Sequence, residues 1–346
     1  MAFQPSDIVL VTGANGHVAQ HVVDQLLAMA NGPKVRATVR SETSALQLES
    51  FFSKEITSAR FSVVRILDII TPGIFDGAMQ DVTHIAHIAS PLVIGAQDIE
   101  KDLLLPAIHG TTNILSAALK VPTVKSVVIT SSFASVADVA YGKRPGYTYS
   151  PTDWNPITYA EAADPNLDLT RWPEEYRPFI TYMASKKLAE SAAWELYNHE
   201  KPQWALSILL PTYIGGPYIL PLSKGPDSLS WSDGLIWSVA AGKPLPQADY
   251  PSWVDVRDVA RAHVQALITK EAKGKRFLLA STNLWYSDIA DIVRNNFPEL
   301  NPSTEKQGAK HWYVDTSDCK ILGIHDWIPI EKTIVDTVQQ VLDSQK

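Results

Sequence analysis

Short apolar runs rich in β-branched residues recur through the first 130 positions, at 8–12, 35–39, 61–66, 85–89 and 126–130. Each run is mostly apolar instead of alternating, the pattern of a strand covered on both faces. Between them, 19–29 and 106–119 carry apolar residues at helical spacing, and Gly32-Pro33 ends the first of these stretches. Such alternation of strand and helix predicts an α/β chain with a doubly wound parallel sheet.

From 141 to 178 the periodicity disappears into prolines, tyrosines, tryptophans and acidic residues, which predicts a long ordered loop over a cleft. A helix over 180–200 and a strand over 205–210 then resume the sheet. Beyond Pro211 the segments shorten, with helices expected over 255–269 and 287–296. The expected division is a dinucleotide-binding domain over 1–210 and a smaller substrate-binding lobe over 211–346, with the chain crossing back to the core. No internal repeat or low-complexity tract is visible.

A length of 346 residues with 45% hydrophobic content is enough for a large core. The formal charge of -7, from 30 basic and 37 acidic residues, provides no basic stripe for a phosphate backbone, so nucleic acid is not an expected partner. The single cysteine, Cys319, has no partner for an internal disulfide and no neighbouring ligands for a metal. The N-terminal residues lack the basic and apolar regions of a signal peptide, and no run is long enough to span a bilayer. A cytoplasmic monomer or homodimer, without metal or membrane, is the expectation.

Chemistry enters at Thr12-Gly13-Ala14-Asn15-Gly16-His17-Val18-Ala19, which follows the first strand and opens the first helix. Gly13 suits a tight turn and Gly16 a close backbone approach to a pyrophosphate, while the helix N-terminus offers free N–H groups to negative charge. This is a Rossmann-type dinucleotide turn, with Thr12, Gly13, Asn15, Gly16, His17 and Val18 as candidate cofactor contacts. An NAD site places a carboxylate at the end of the second strand. Here that strand ends in Arg40, whose guanidinium suits a 2′-phosphate, so NADPH/NADP is the expected cofactor. Arg36 shares the strand face of Arg40 and is a second, weaker candidate. Asp68, with Ile69 beside it after the third strand, is a candidate for the adenine end; a plain turn-capping role explains it equally well.

Tyr182 and Lys186 stand four apart in a helical stretch and so share a face. A neighbouring ammonium lowers a phenol's pKa, which would tune Tyr182 as a general acid for carbonyl reduction. The spacing alone is common and fits a structural role. The third element is Ser131-Ser132 at the carboxyl end of the strand 126–130, the edge where open α/β sheets bind ligands. A serine hydroxyl there can hold a substrate carbonyl oxygen.

These motifs together resemble the extended short-chain dehydrogenase/reductase family over nearly the whole chain. The resemblance is carried by the Gly13 and Gly16 turn, His87-Ile88-Ala89-Ser90-Pro91, Thr130-Ser131-Ser132, the Tyr182 and Lys186 pair, Pro211-Thr212-Tyr213-Ile214-Gly215-Gly216-Pro217, and Trp253-Val254-Asp255-Val256-Arg257-Asp258-Val259-Ala260. Within the family the chain is most similar to the branch of dihydroflavonol reductases and fungal aldehyde, ketone and methylglyoxal reductases. The resemblance implies Ser132, not Ser131, as the carbonyl-binding serine, Tyr182 as proton donor, and Lys186 on the nicotinamide ribose. It also implies cofactor contacts at Ala89, Pro211 and Ile214. Ser90, Phe133 and Tyr213 are candidate substrate contacts; Asn113 is a candidate proton relay and His87 a candidate substrate contact. Phe133 departs from the small residue found in many relatives, and 141–178 carries no plant phenolic-ester signature.

The expected function is NADPH-dependent reduction of an aldehyde or ketone, including β-keto esters and aryl ketones, with a small carbonyl compound as the partner. An NAD-dependent nucleotide-sugar epimerase uses the same Ser, Tyr and Lys but calls for an acidic residue in place of Arg40. A non-catalytic redox sensor would commonly lose the tyrosine or lysine, and both are present.

Overall fold

The computed structural model describes residues 2–90 and 98–346. The first half runs β1 (Ile8–Thr12), α1 (His17–Leu27), β2 (Lys34–Val39), α2 (Glu42–Phe51), α3 (Ser53–Thr57), β3 (Phe61–Arg65), β4 (His84–His87), α4 (Leu105–Leu119) and β5 (Ser126–Thr130). It continues with β6 (Thr148–Tyr149), α5 (Tyr159–Ala162), α6 (Ile180–Glu200), β7 (Ala205–Pro211), β8 (Tyr213–Gly215), α7 (Trp231–Ala240), β9 (Ser252–Asp255) and α8 (Val256–Ile268). Last come β10 (Lys275–Leu279), β11 (Thr282–Asn283), α9 (Tyr286–Asn296), β12 (Tyr313–Val314) and α10 (Ile330–Ser344).

Seven strands form one parallel sheet in the order β10-β7-β5-β4-β1-β2-β3. The chain reverses direction across the sheet between β1 and β4, and their carboxyl ends open the crevice where such folds bind ligands. The apolar runs explain the layering. Val9 and Val11 face one core with Val22, Leu26, Val259 and Leu267 of α1 and α8. Leu10, Ile85 and Val127 face the other, against Ile114 and Leu115 of α4 and Met183 and Ala184 of α6. Burial on both faces is what a parallel sheet with crossover helices requires.

A third apolar cluster unites Ile236 and Val239 of α7, Trp253 of β9, Ile289 and Val293 of α9, and Ile334 and Val338 of α10. It is built around the three-stranded sheet β11-β9-β8. The predicted loop over 141–178 holds short turns, α5 and β6, which pairs with β12 through Thr148 and Tyr313. Between α8 and β11, β10 returns the chain to the edge of the main sheet beside β7. No helix among the described residues is long and apolar enough to cross a membrane.

Candidate active site

The turn after β1 is held by its own backbone: Gly16 N–H donates to the Gly13 carbonyl at 2.8 Å, and Ala14 N–H to the Thr38 carbonyl at 2.9 Å. Gly13 has φ of +66°, and a Cβ there would lie 3.1 Å from the Ala89 Cα. Conformation and close approach both demand glycine. Gly16 caps α1 without a side-chain hydrogen bond, leaving first-turn N–H groups available to an anion. Gly13, Asn15, Gly16, His17 and Val18 line one long cleft together with Arg40, Asp68, Ile69 and Ala89.

Thr12, expected at the cofactor, is fully buried and does not line that cleft. Its hydroxyl accepts from the N–H groups of Ile88 (2.9 Å) and Ala89 (3.0 Å), and so gives its proton to His87 Nδ1 at 3.0 Å. The side chain is saturated in tying β1 to the end of β4. His87 is thereby accounted for as well: burial holds its pKa near 3, and it lines neither the cleft nor the adjoining pocket. Ser90 sits at the edge of the cleft, while Pro91 of the same motif lies outside the described residues.

At the end of the cleft beside β2, Arg40 is exposed and has no hydrogen-bond or ion-pair partner among the described residues. Beside it, Ser41 caps α2 and accepts from Ser44 N–H at 3.1 Å; both serines line the cleft. Arg36 does not share this position, because its Nη1 donates to the carbonyls of Ala78 and Gln80 at 2.7 Å each. Asp68 accepts from Ile70 N–H at 3.1 Å, a turn-capping contact that still leaves it on the cleft wall. Asn113, the candidate relay, donates from Nδ2 to the Ile69 carbonyl at 3.0 Å and so steadies that wall.

The cleft continues into a pocket at the carboxyl ends of β5 and β7. Thr130, Ile214 and Ser232 belong to both. Ser132, Tyr182 and Lys186 converge on this pocket, with Phe133, Pro211, Tyr213 and Ile214 among its other walls. Ser132 begins a short turn after β5, its Oγ accepting from Ala134 N–H at 3.1 Å. Tyr182 and Lys186 occupy the first turns of α6. Sequence reasoning expects the Lys186 ammonium to lower the phenol's pKa, but the structure shows the opposite direction. Burial raises it, and only the Ser132 hydroxyl pulls it down. The reason is geometric: Lys186 Nζ donates to Ser90 Oγ at 2.8 Å and stands 5.7 Å from the Tyr182 ring centroid. Burial also lowers Lys186 itself, to about 8.

Phe179 and Tyr250 are wall residues that carry no signal in the sequence. Phe179 and Trp231 meet edge to face at 6.0 Å, and Tyr250 packs against Phe133 at 6.2 Å and Tyr213 at 5.7 Å. Tyr213 turns its hydroxyl away, donating to the buried Asp249 at 2.8 Å, which also accepts from Tyr286 at 2.8 Å. Lys186 is the one charged residue among the described residues lining the pocket. The chemistry of such a wall suits an apolar, uncharged molecule, with the hydroxyls of Ser132 and Tyr182 among its polar groups.

Residues 10–145 match the 3-beta hydroxysteroid dehydrogenase/isomerase family. An uncharacterized oxidoreductase of Schizosaccharomyces pombe is 36% identical over 96% of each chain. The NADPH-dependent methylglyoxal reductase GRE2 of Saccharomyces cerevisiae is 31% identical over 96% of this chain and 98% of its own. The crystal structure of yeast methylglyoxal/isovaleraldehyde reductase Gre2 complexed with NADPH superposes with a TM-score of 0.86, covering 98% of this chain and 99% of the other at 31% identity. The glycine turn, the Ser132, Tyr182 and Lys186 constellation, the seven-stranded parallel sheet and these full-length relatives agree: the chain belongs to the extended short-chain dehydrogenase/reductase family, on the branch of the fungal carbonyl reductases.

Proposed function

We propose that this protein reduces an aldehyde or ketone to the alcohol with NADPH, the carbonyl oxygen lying between Ser132 and Tyr182. The observation that carries the reading is the convergence of Ser132, Tyr182 and Lys186 on one apolar pocket continuous with the dinucleotide cleft. NADPH supplies the hydride when bound. The cradle fits it: Gly13 and Gly16 leave room for a diphosphate, and the unpartnered Arg40 suits a 2′-phosphate. That arginine stands where an epimerase holding NAD would place a carboxylate, which supports reduction over epimerisation.

Each side chain then has a task its surroundings suit. Burial keeps the Tyr182 phenol protonated near neutrality, the form that can donate to a developing alkoxide. Ser132 donates a hydrogen bond to the same oxygen and concentrates charge there. Lys186 supplies an ammonium beside Ser90, where it can hold ribose hydroxyls. Phe133, Phe179, Trp231 and Tyr250 select apolar and aromatic substituents and penalise carboxylates and phosphates, whose burial would go unpaired.

The test is NADPH consumption against short aldehydes, diketones, aryl ketones and β-keto esters, with charged keto acids as the contrast. Turnover of the uncharged compounds that collapses in Tyr182→Phe is expected. Absence of turnover with any carbonyl, despite dinucleotide binding, would overturn the reading.

A further inference from the structure

One buried ion pair next to the pocket has no part in the chemistry above. Glu190 lies on α6 at the same four-residue spacing as Tyr182 and Lys186, so all three share a helix face. Its side chain is fully buried, and its partner Arg276 of β10 is 7% exposed. Arg276 Nε donates to Glu190 Oε1 at 2.6 Å. The other carboxylate oxygen, Oε2, accepts from two hydroxyls, Ser131 Oγ and Ser135 Oγ, at 2.6 Å each. Those two serines bracket the turn that presents Ser132.

We infer that Glu190 is a positioning residue for carbonyl reduction: through Ser131 and Ser135 it fixes Ser132 at a set distance from Tyr182 on its own helix. The inference rests on Ser132 and Tyr182 acting as proposed. Nothing in α6 itself requires a carboxylate at 190, and burying one is costly unless every lone pair is met. Here they are met: Trp194 Nε1, at 3.4 Å, joins Arg276 on Oε1, and the two serines occupy Oε2. Arg276 extends the brace outward, its Nη1 donating to the carbonyls of Pro151 (2.6 Å) and Asp153 (2.7 Å) and its guanidinium stacking 3.7 Å from the Trp154 ring centroid. Asn155 closes the loop, its N–H donating to the Ser135 carbonyl at 2.9 Å and its Nδ2 to the Ala134 carbonyl at 3.1 Å. The helix carrying Tyr182, the turn carrying Ser132 and the covering loop therefore meet at one carboxylate. A displacement of about 1 Å at a reacting group is enough to cost about a hundredfold in rate.

The experiment is a double-mutant cycle in kcat: parent, Glu190→Gln, Ser132→Ala, and both together, with NADPH Kd measured for each. If Glu190 acts through Ser132, Glu190→Gln lowers kcat at least tenfold in the parent and less than twofold in the Ser132→Ala background, with Kd for NADPH within twofold throughout. An equal fold-loss in both backgrounds marks a merely structural role and overturns the inference, as does an unchanged kcat. Should Glu190→Gln fail to fold, Ser135→Ala, which leaves the ion pair intact, is read in the same cycle by the same criterion, with at least a threefold loss expected in the parent. If Ser132→Ala and Tyr182→Phe themselves leave kcat unchanged, it is the catalytic reading that fails.

Discussion

Replacing Arg40 with alanine isolates the cofactor preference, because the structure assigns this side chain no other task. It is exposed, touches no hydrogen-bond or ion-pair partner among the described residues, and stands on the cleft wall beside Ser41 and Ser44. Loss of such a surface residue changes fold stability by no more than about 0.5 kcal/mol. A hydrogen bond between charged groups is worth about 1.5–3 kcal/mol, and about 1.4 kcal/mol is a factor of ten in affinity. Water reaches this guanidinium, so the lower end applies, and the two neighbouring serines retain part of the phosphate binding. Kd for NADPH, measured by fluorescence titration, is expected to rise about tenfold in Arg40→Ala, while Kd for NADH stays within twofold. Arg40→Asp, which adds repulsion and restores a ribose-binding carboxylate, should narrow the preference further or invert it. Equal weakening of both dinucleotides, or none, would refute the assignment of Arg40 to the 2′-phosphate.

Two predictions concern pH. Burial holds His17, His21, His84 and His263 near pKa 4 and His87 near 3, against an ordinary value of 6.5. The folded chain takes up these protons later than the unfolded chain, so stability should fall steeply as pH drops from about 6.5 to 4; urea denaturation across that range checks this, and a flat profile would contradict it. Lys186, lowered to about 8, loses its ammonium as pH rises past that value, so kcat/KM should decline above pH 8 in the parent. In Lys186→Arg, whose guanidinium stays charged, that alkaline limb should vanish.

What the sequence made readable was mainly local. The predicted strands 8–12 and 126–130 and the helix over 180–200 agree in full with β1, β5 and α6, because apolar runs and helical spacing are written into consecutive residues. The Gly13 turn was readable for the same reason: a φ of +66° against Ala89 is a requirement on one position. Helix α2 escaped because it buries only Ala45 and Leu48 and leaves Leu46 and Phe51 exposed, so it has no clean stripe. Strand β6 is two residues long and pairs with β12 far along the chain, a contact no window of sequence contains. The pocket wall was readable only in part: Ser132, Phe133 and Tyr213 stand in motifs, whereas Phe179 and Tyr250 come from separate segments that no window joins. Glu190 stood four residues past Lys186 on the same face, but nothing local announces that its partners are Ser131, Ser135 and Arg276. Side-chain direction was the other hidden quantity. Thr12 and His87 sit at suggestive places, yet they bond to each other and line neither cleft nor pocket, and the Asn113 amide nitrogen is turned to the Ile69 carbonyl.

The most direct test of the account is the fate of the hydride. NADPH deuterated at the transferring carbon would be incubated with the best uncharged carbonyl compound, and the alcohol product analysed by mass spectrometry. The account predicts one deuterium on the carbinol carbon with the parent protein, and a rate of label transfer about a hundredfold to ten-thousandfold lower in Tyr182→Phe. An alcohol without deuterium, no alcohol at all, or transfer at the parental rate in Tyr182→Phe would contradict it.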